Sequence, residues 1–505
     1  MVDLARHTAL AGDLTAAQRW AVAAADHASE HLAPAEAAAW YEQALAHATS
    51  RHVPDAERAE LMVRLGVAQR RAGDPATQRT LLDAAALAER AGAHDVLVRA
   101  ALANDRGFTS AGTVDHEQLA ALEAAIAVAD RDDTTSYASL LACRAQELVF
   151  TAQEELRLGS AREAIELIER SDDPTALPRM VSGLVWGLWG PDDTLALRRR
   201  LTARAVAMAV EAGDLFLEFS ANRAAYYVAI ESVDADVARA SLGRMKEIAV
   251  QFGEPRLRWL CTVFEVFEAT MEARLGDAEQ LSGTVLELGT EIGEPNAFML
   301  YAAQLYVNRS CAGRYDEVIP LLEAALANTP DALPFKLAFA ICCAAVGRED
   351  EARTILHEGA AAGIANLPRD FLWMTSVIGY AVLAIDLQEH AVAAELYSII
   401  EPFGDQVTFN GATSQGYIGA YLGKLASLLG RHDMADAHLR RALEVYLSFG
   451  WTYHEATTLV ALALSQRRRS GRLDAQGQAW LDEAEAIGAD RGLANVVAQV
   501  AQIRR

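Results

Sequence analysis

The chain has 505 residues, of which 52 % are apolar and only 7 % aromatic, and its formal net charge is −24. A field of this sign repels a phosphate backbone, so direct binding to nucleic acid is not expected. The five cysteines form no C-x-x-C pair, no apolar run is long enough to span a membrane, and the first residues lack the order of a signal peptide. We therefore expect a soluble, cytoplasmic protein that does not enter the membrane.

The first ninety residues show the pattern of paired helices. Leu65-Gly66 is followed by a turn at Gly73-Asp74 and then by Leu82 and Ala85. Small residues at fixed positions allow two helices to cross closely, and the large residues fill the space between them. Residues 20–90 are therefore predicted to be antiparallel helix pairs.

The middle of the chain is less regular. Residues 104–116, 171–178 and 190–193 are rich in Gly, Pro, Asp, Ser and Thr, which indicates loops. We place a soft boundary near 171–178. The prediction is N-terminal helical repeats over 1–172 and C-terminal tetratricopeptide-like repeats over 173–505, forming one continuous solenoid.

The repeat is clearest from residue 256 to the C-terminus. Turns are predicted at residues 276, 313, 347, 388, 430 and 471, all of them glycines except Gln388, with spacings of 37, 34, 41, 42 and 41 residues. Glycine ends a helix without strain in the left-handed conformation, and a following Asp can cap the next helix. The spacing predicts an all-α, tetratricopeptide-like superhelical solenoid of antiparallel helix pairs.

Two kinds of catalytic motif have partial matches. His27-Ala-Ser-Glu-His31 fits the H-x-x-E-H zinc pattern, but a third protein ligand is not identifiable, and solvent-facing histidines at a helix end are the alternative. Gly107–Gly112 and Gly411–Gly416 are one residue too long for a nucleophile elbow, and neither is predicted to follow a strand. Phosphate-loop and dinucleotide motifs are missing from the sequence. We expect no enzyme activity, no cofactor and no metal, and a metal hydrolase remains a minor alternative.

Two short basic runs stand out in this acidic chain. They are Arg198-Arg-Arg200 and Arg467-Arg-Arg469. On amphipathic helices such runs are usually solvated faces or charges at helix C-termini. Contact with an acidic partner is the alternative reading.

Aromatic and amide side chains recur on the predicted first helices of successive repeats, which line the concave face of a solenoid. There they would hold a peptide or a small ligand; the alternative is that they fill the space between alanine-rich helices. The candidate binding residues are Asn222, Arg223, Tyr226, Tyr227, Trp259, Tyr301, Asn308 and Trp373.

Several segments resemble a region of large actinobacterial signalling proteins. They include Ala37–Leu45, Leu65–Asp74, Trp189-Gly-Pro-Asp192 and Leu367–Trp373. The proteins are LuxR-type transcriptional regulators and adenylate-cyclase-like proteins, which carry an AAA (STAND) ATPase followed by tetratricopeptide-like repeats. The ATPase, cyclase and DNA-reading parts have no counterpart in this sequence, so the resemblance implies a sensor or partner arm and transfers no catalytic residue.

The function predicted from these features is a non-enzymatic interaction or sensor module in signal transduction or transcriptional regulation. It would bind a protein partner or a small effector on its concave face. The alternative is the C-terminal regulatory region of a larger ATP-binding cyclase or LuxR-type regulator. Self-association is left open, as is whether the chain is a separate protein or a fragment.

Overall fold

The computed structural model describes residues 1–31, 33–105, 114–190, 192–329 and 332–505, and most of them are helical. Alanine and leucine dominate these segments, and both favour helix. In the first half the helices are α1 (Val2–Leu10), α2 (Leu14–Glu30), α3 (Pro34–Ser50), α4 (Asp55–Ala72), α5 (Thr77–Arg90), α6 (His94–Ala103), α7 (His116–Val128), α8 (Thr134–Glu147), α9 (Glu154–Glu169), α10 (Ala176–Gly187), α11 (Leu195–Ala212), α12 (Leu215–Glu231) and α13 (Ala235–Phe252).

The second half continues in the same way. Its helices are α14 (Pro255–Met271), α15 (Leu275–Glu291), α16 (Ala297–Cys311), α17 (Ile319–Asn328), α18 (Leu333–Ala345), α19 (Glu349–Ala362), α20 (Trp373–Asp386), α21 (His390–Ile400), α22 (Ile418–Leu428), α23 (His432–Phe449), α24 (Thr452–Ser470), α25 (Ala475–Arg491) and α26 (Ala494–Arg504). The strands of the described residues are β1 (Val407–Thr408) and β2 (Gly416–Tyr417), an antiparallel pair. Short 3₁₀ turns cover Leu148–Phe150, Asp192–Thr194, Tyr315–Glu317, Ile364–Asn366 and Glu401–Phe403.

From α1 to α10 and from α17 to α26, each helix contacts its sequence neighbour, and in the second stretch each first helix also contacts the first helix of the next pair. The series α18, α20, α22, α24 and α26 shows this stacking. It is the contact pattern of a helical-repeat array, in which each repeat buries its apolar face against the next. The all-α, tetratricopeptide-like solenoid of antiparallel helix pairs is confirmed.

Small residues lie where the helices of a pair cross, as the repeat pattern predicted. On α22, a Cβ added to Gly423 would lie 2.7 Å from Cγ of Leu439 on α23. Leu439 is fully buried. A larger residue at Gly423 would therefore force the two helices apart.

Five of the six predicted turns of the C-terminal repeats are confirmed. The four at Gly313, Gly347, Gly430 and Gly471 have φ between 71° and 86°, and Gln388 takes the same left-handed conformation with φ 58°. The turn placed at Gly276 was wrong. The left-handed residue there is Ala273, with φ 57°, and α15 begins at Leu275, so Gly276 already lies inside the helix.

Capping by the aspartate after each turn is only partly confirmed. The Asp474 carboxylate accepts a hydrogen bond from the backbone N–H of Gly477 at 2.9 Å and caps α25. Asp350 and Asp433 instead lie within the first turns of α19 and α23, which begin before them. There they interact favourably with the helix dipole without closing the end.

The described residues divide into two compact units. Unit 1 comprises 1–188, 204–221 and 289–295, and unit 2 comprises 189–203, 222–288 and 296–505. Each has its own core, built in unit 1 largely from alanine and leucine and in unit 2 also from tryptophan, tyrosine and phenylalanine. The predicted division between residues 172 and 173 stays a prediction. None of the described helices is both long enough and apolar enough to cross a membrane.

Candidate ligand cavity

The predicted aromatic positions on α12 lie inside unit 2. Tyr226 and Tyr227 are almost fully buried, and both rings pack on Phe264, with centroids 4.8 Å and 5.6 Å away. The Tyr226 hydroxyl donates to Glu268 at 2.6 Å. Burial raises the pKa of both Tyr226 and Glu268, which favours their neutral forms.

A hairpin of the same chain packs against these rings. It is the segment 407–417, which consists of β1, β2 and the loop between them. Phe409 lies 5.7 Å from Tyr227 and 4.9 Å from Phe267, measured between ring centroids. The Gln304 side-chain amide donates to the carbonyl of Ala412 at 3.2 Å. The aromatic positions thus hold an internal segment.

The same hairpin contains Gly411–Gly416, one of the two candidate nucleophile elbows. The segment does follow a short strand, contrary to the prediction from sequence. Ser414 Oγ accepts a hydrogen bond from the N–H of Gly416 at 2.8 Å, which stabilises the loop. The other candidate, Gly107–Gly112, lies outside the described residues.

The remaining predicted binding residues divide into buried and cavity-lining positions. Trp259 is buried and its indole N–H donates to the carbonyl of Val285 at 3.0 Å; Asn308 donates to Leu275 at the same distance. Trp373 is buried against Phe403, and Asn222 and Arg223 are also buried. Tyr301 is half-buried and lies on the wall of a large cavity. A ligand-binding role for the eight residues stays a prediction.

The cavity has a volume of about 1630 Å³ and lies entirely within unit 2. Its walls come from the first helices α16, α18, α20, α22 and α24, from α17 and α26, and from the loop of the hairpin. First helices of successive repeats therefore do surround a concave space. α17 and α18 contribute only apolar side chains to it.

Two charges of opposite sign interrupt the apolar helices α20 and α22. Asp386 on α20 and Lys424 on α22 are the only charged residues of their helices, and both line the cavity. Desolvation by burial raises the pKa of Asp386 to about 6 and lowers the pKa of Lys424. Lys424 lies close enough to Asp386 to favour its ionised form.

A buried histidine lies near Lys424. The His454 ring on α24 stacks on Tyr446 at 4.9 Å with an interplanar angle of 17°. Burial, with a smaller contribution from the Lys424 charge, lowers its pKa to about 3, so the imidazole is neutral near pH 7. His454 lines the cavity, and its buried Nε2 has no hydrogen-bond partner among the described residues.

The second basic run contributes two of its three arginines to the cavity. Arg467 and Arg468 on α24 line the wall, whereas Arg469 lies outside the lining and forms an ion pair with Asp433 at 2.9 Å. The Arg468 guanidinium donates to Gln388 Oε1 at 2.9 Å and lies 3.4 Å from Ser427 Oγ on α22. The run is therefore not a uniform solvated face.

The histidine pair of the H-x-x-E-H match is exposed on α2. Potential ligand atoms of His27, Glu30 and His31 lie within 4.8 Å of one another. The His31 Nδ1 already contacts the carbonyl of His27 at 2.8 Å. Among the described residues no further His, Cys, Asp or Glu joins this group. Because Glu30 would be the base in the H-x-x-E-H pattern, the two histidines lack the third protein ligand of a catalytic zinc site.

Isolated charges on apolar helices are a sequence signal for the cavity residues, which the search for aromatic positions did not use. Lys424 is one of only three lysines in the chain, and the other two, Lys246 and Lys336, form ion pairs with Glu265 and Glu358. A single charge on an otherwise apolar helix is unusual, because burying an unpaired charge is costly. Lys424 and Asp386 both fit that description.

Comparisons with known proteins agree with the repeat architecture. A model of the tetratricopeptide repeat family matches residues 312–363, which hold α17, α18 and α19. No curated protein gives a significant match.

Two solved structures align along nearly the whole chain. One is the APC/C hetero-tetramer Cut9–Hcn1, at 13 % identity over 100 % of this chain and 99 % of that chain, with a TM-score of 0.31. The other is a circular tandem repeat protein, at 15 % identity over 100 % and 97 %, with a TM-score of 0.12. Such scores define no common architecture, so the fold assignment depends on helix pairing and the matching repeat model.

Proposed function

We propose that this chain is a non-enzymatic helical-repeat sensor module, and that it binds a small effector in the cavity of unit 2. The observation that supports this best is the cavity itself, in which several repeats direct an apolar wall and a few convergent polar groups toward one space. Ligand sites have this composition. The tetratricopeptide repeat match over 312–363 supports an interaction role.

The cellular setting of the proposal is signal transduction or transcriptional regulation in the cytoplasm. Its support is the resemblance of the sequence to the repeat regions of LuxR-type and adenylate-cyclase-like regulators. The five cysteines are buried and unpaired, in keeping with a reducing compartment. We favour a small effector over a protein partner, because the proposed binding site is a cavity rather than an exposed face.

The proposal is tested by filling the cavity. Ala461 is buried on α24 and lines the cavity, so Ala461→Trp places a large ring at its wall. Val250 is 84 % exposed and does not line the cavity, so Val250→Trp is the matched control. Native mass spectrometry after incubation with a metabolite extract of the source organism is expected to show a bound small molecule on the parent chain and the control.

The same mass is expected to be missing from Ala461→Trp. Circular dichroism melting curves establish that all three proteins are folded. Retention of the same ligand by Ala461→Trp, or no bound molecule on any of the proteins, would contradict the proposal.

A further inference from the structure

The charges around the cavity differ in sign from those of the chain as a whole. The chain carries a net charge of −24, yet its cavity wall holds Arg309, Lys424, Arg467 and Arg468 against a single carboxylate, Asp386. Arg309 is neutralised by ion pairs with Glu279 and Glu317. The other three cations are Lys424, Arg467 and Arg468.

Those three cations have no acidic partner within 4.0 Å among the described residues. Arg467 donates to the carbonyl of Ile503, and Arg468 donates to the neutral Gln388 side chain. Lys424 has its ammonium 5.4 Å from the centre of the Tyr421 ring. Three cations against one carboxylate leave an excess of two positive charges on the wall of the cavity.

An uncompensated charge in a partly desolvated place costs free energy, and an anion placed beside it reduces that cost. Lys424 and Arg468 lie on the neighbouring helices α22 and α24, and the Arg468 guanidinium is 3.4 Å from Oγ of Ser427, three residues after Lys424 on α22. A carboxylate or a phosphate accepts hydrogen bonds from both kinds of cation. The part of the wall that carries these cations is therefore complementary to an anionic head group.

The rest of the wall is complementary to an apolar body. α17 and α18 offer only apolar side chains, among them Leu322, Phe335 and Ile341. The volume of 1630 Å³ exceeds the ~300–1,000 Å³ that is usual for small-molecule sites, so the space admits a long ligand. We propose that the unit 2 cavity binds an organic anion with a long hydrocarbon body, such as an acyl chain that ends in a carboxylate or a phosphate.

This inference rests on the proposed function and is tested with ligands matched in length. The probes are tetradecanoate, tetradecyl phosphate, tetradecanol and tetradecyltrimethylammonium, titrated by calorimetry below their critical micelle concentrations into delipidated protein. The two anions are expected to bind at least about tenfold more tightly than the alcohol, and the cation is expected to bind most weakly. The relative affinities of the carboxylate and the phosphate identify the preferred head group.

The basic run supplies a matched set of variants. Lys424→Met and Arg468→Leu are each expected to lower the affinity for the anions about tenfold and to leave that for tetradecanol unchanged. Arg469→Leu changes the next residue of the same run, which pairs with Asp433 outside the cavity, and is expected to bind like the parent chain. Melting curves confirm that each variant folds.

Two results would overturn the inference. One is equal affinity for the anions and the alcohol, and the other is unchanged anion binding in both cavity variants. If Ala461→Trp abolishes binding of a natural effector while none of the four probes binds, the ligand class is wrong and the proposed function stands. If no ligand binding depends on Ala461, both proposals fail.

Discussion

His454 makes the stability of unit 2 sensitive to acid. Its pKa of about 3 in the folded chain is below the 6.5 of an unconstrained histidine, so the unfolded chain binds the proton more tightly. The contribution of this pKa difference to the free energy of unfolding is fully present above pH 6.5 and is lost as the pH falls toward 3. His454→Phe keeps an aromatic ring against Tyr446 and removes this titration.

We expect the free energy of unfolding to fall between pH 7 and pH 5 by about 2 kcal/mol more in the parent chain than in His454→Phe. Urea unfolding at the two pH values, followed by circular dichroism, measures the difference. Control unfolding curves of His7→Phe, at an exposed histidine on α1, should show the full loss of the parent chain. Identical pH dependence in the parent chain and His454→Phe would show that the imidazole is not held neutral by burial.

At the residue scale, the sequence identified the aromatic positions of the repeats but not the side chains that pack against them. The aromatic positions of α12 were identified from their spacing, yet spacing along a helix does not reveal that Phe409, 182 residues after Tyr227, packs against them. The Arg468 guanidinium likewise reaches Ser427, on the same helix as Lys424, only through the stacking of α22 on α24. Long-range contacts of this kind depend on the tertiary arrangement and are not encoded in local periodicity.

At the element scale, α11 and α12 are joined by a buried ion pair. Arg198 and Glu231 are 1 % and 8 % exposed at their side chains, with Arg198 Nη2 2.8 Å from Glu231 Oε1. The guanidinium also lies 4.7 Å from the centre of the Trp189 ring. Glu231→Ala leaves this cation buried without its partner, so we expect a loss of about 3–5 kcal/mol in the urea-unfolding free energy.

The neighbouring arginine provides the control for this pair. Arg199 pairs with Asp234 at the surface, and Arg199→Ala should cost less than about 1 kcal/mol. Replacing both buried partners, as in Arg198→Met with Glu231→Leu, should recover most of the lost stability, because no isolated charge then remains. If Glu231→Ala costs no more than Arg199→Ala, the buried pair does not stabilise the contact between the two helices.

Helix pairing was predicted well because it depends on local features. The left-handed turns at Gly313, Gly347, Gly430 and Gly471 were located from the repeat pattern, and Gln388 was identified from its spacing. The turn at Ala273 was missed because a glycine three residues later matched the template. Alanine adopts the left-handed conformation only when the packing of α14 and α15 imposes it, which the sequence pattern does not show.

At the scale of the whole molecule, contacts within unit 2 join repeats that are far apart in the chain. Asn495 on α26 lies 3.3 Å from the carbonyl of Ser310 on α16 and 3.2 Å from the Tyr453 hydroxyl on α24. In a simple repeat array each repeat is stabilised only by its neighbours. The Asn495 contacts connect residues 185 positions apart, so α16 and α26 should resist local opening together.

Asn495→Ala removes these contacts, which are worth about 1–2 kcal/mol. Hydrogen exchange should then become faster in α16 as well as in α26, because each helix loses a partner that is remote in sequence. Gln499→Ala, at an exposed position on the same helix that also lines the cavity, should leave α16 unchanged. Faster exchange confined to α26 in Asn495→Ala would mean that α16 is held only by its own neighbours, and that the cavity wall formed by α16 is stable without closure by the last helix.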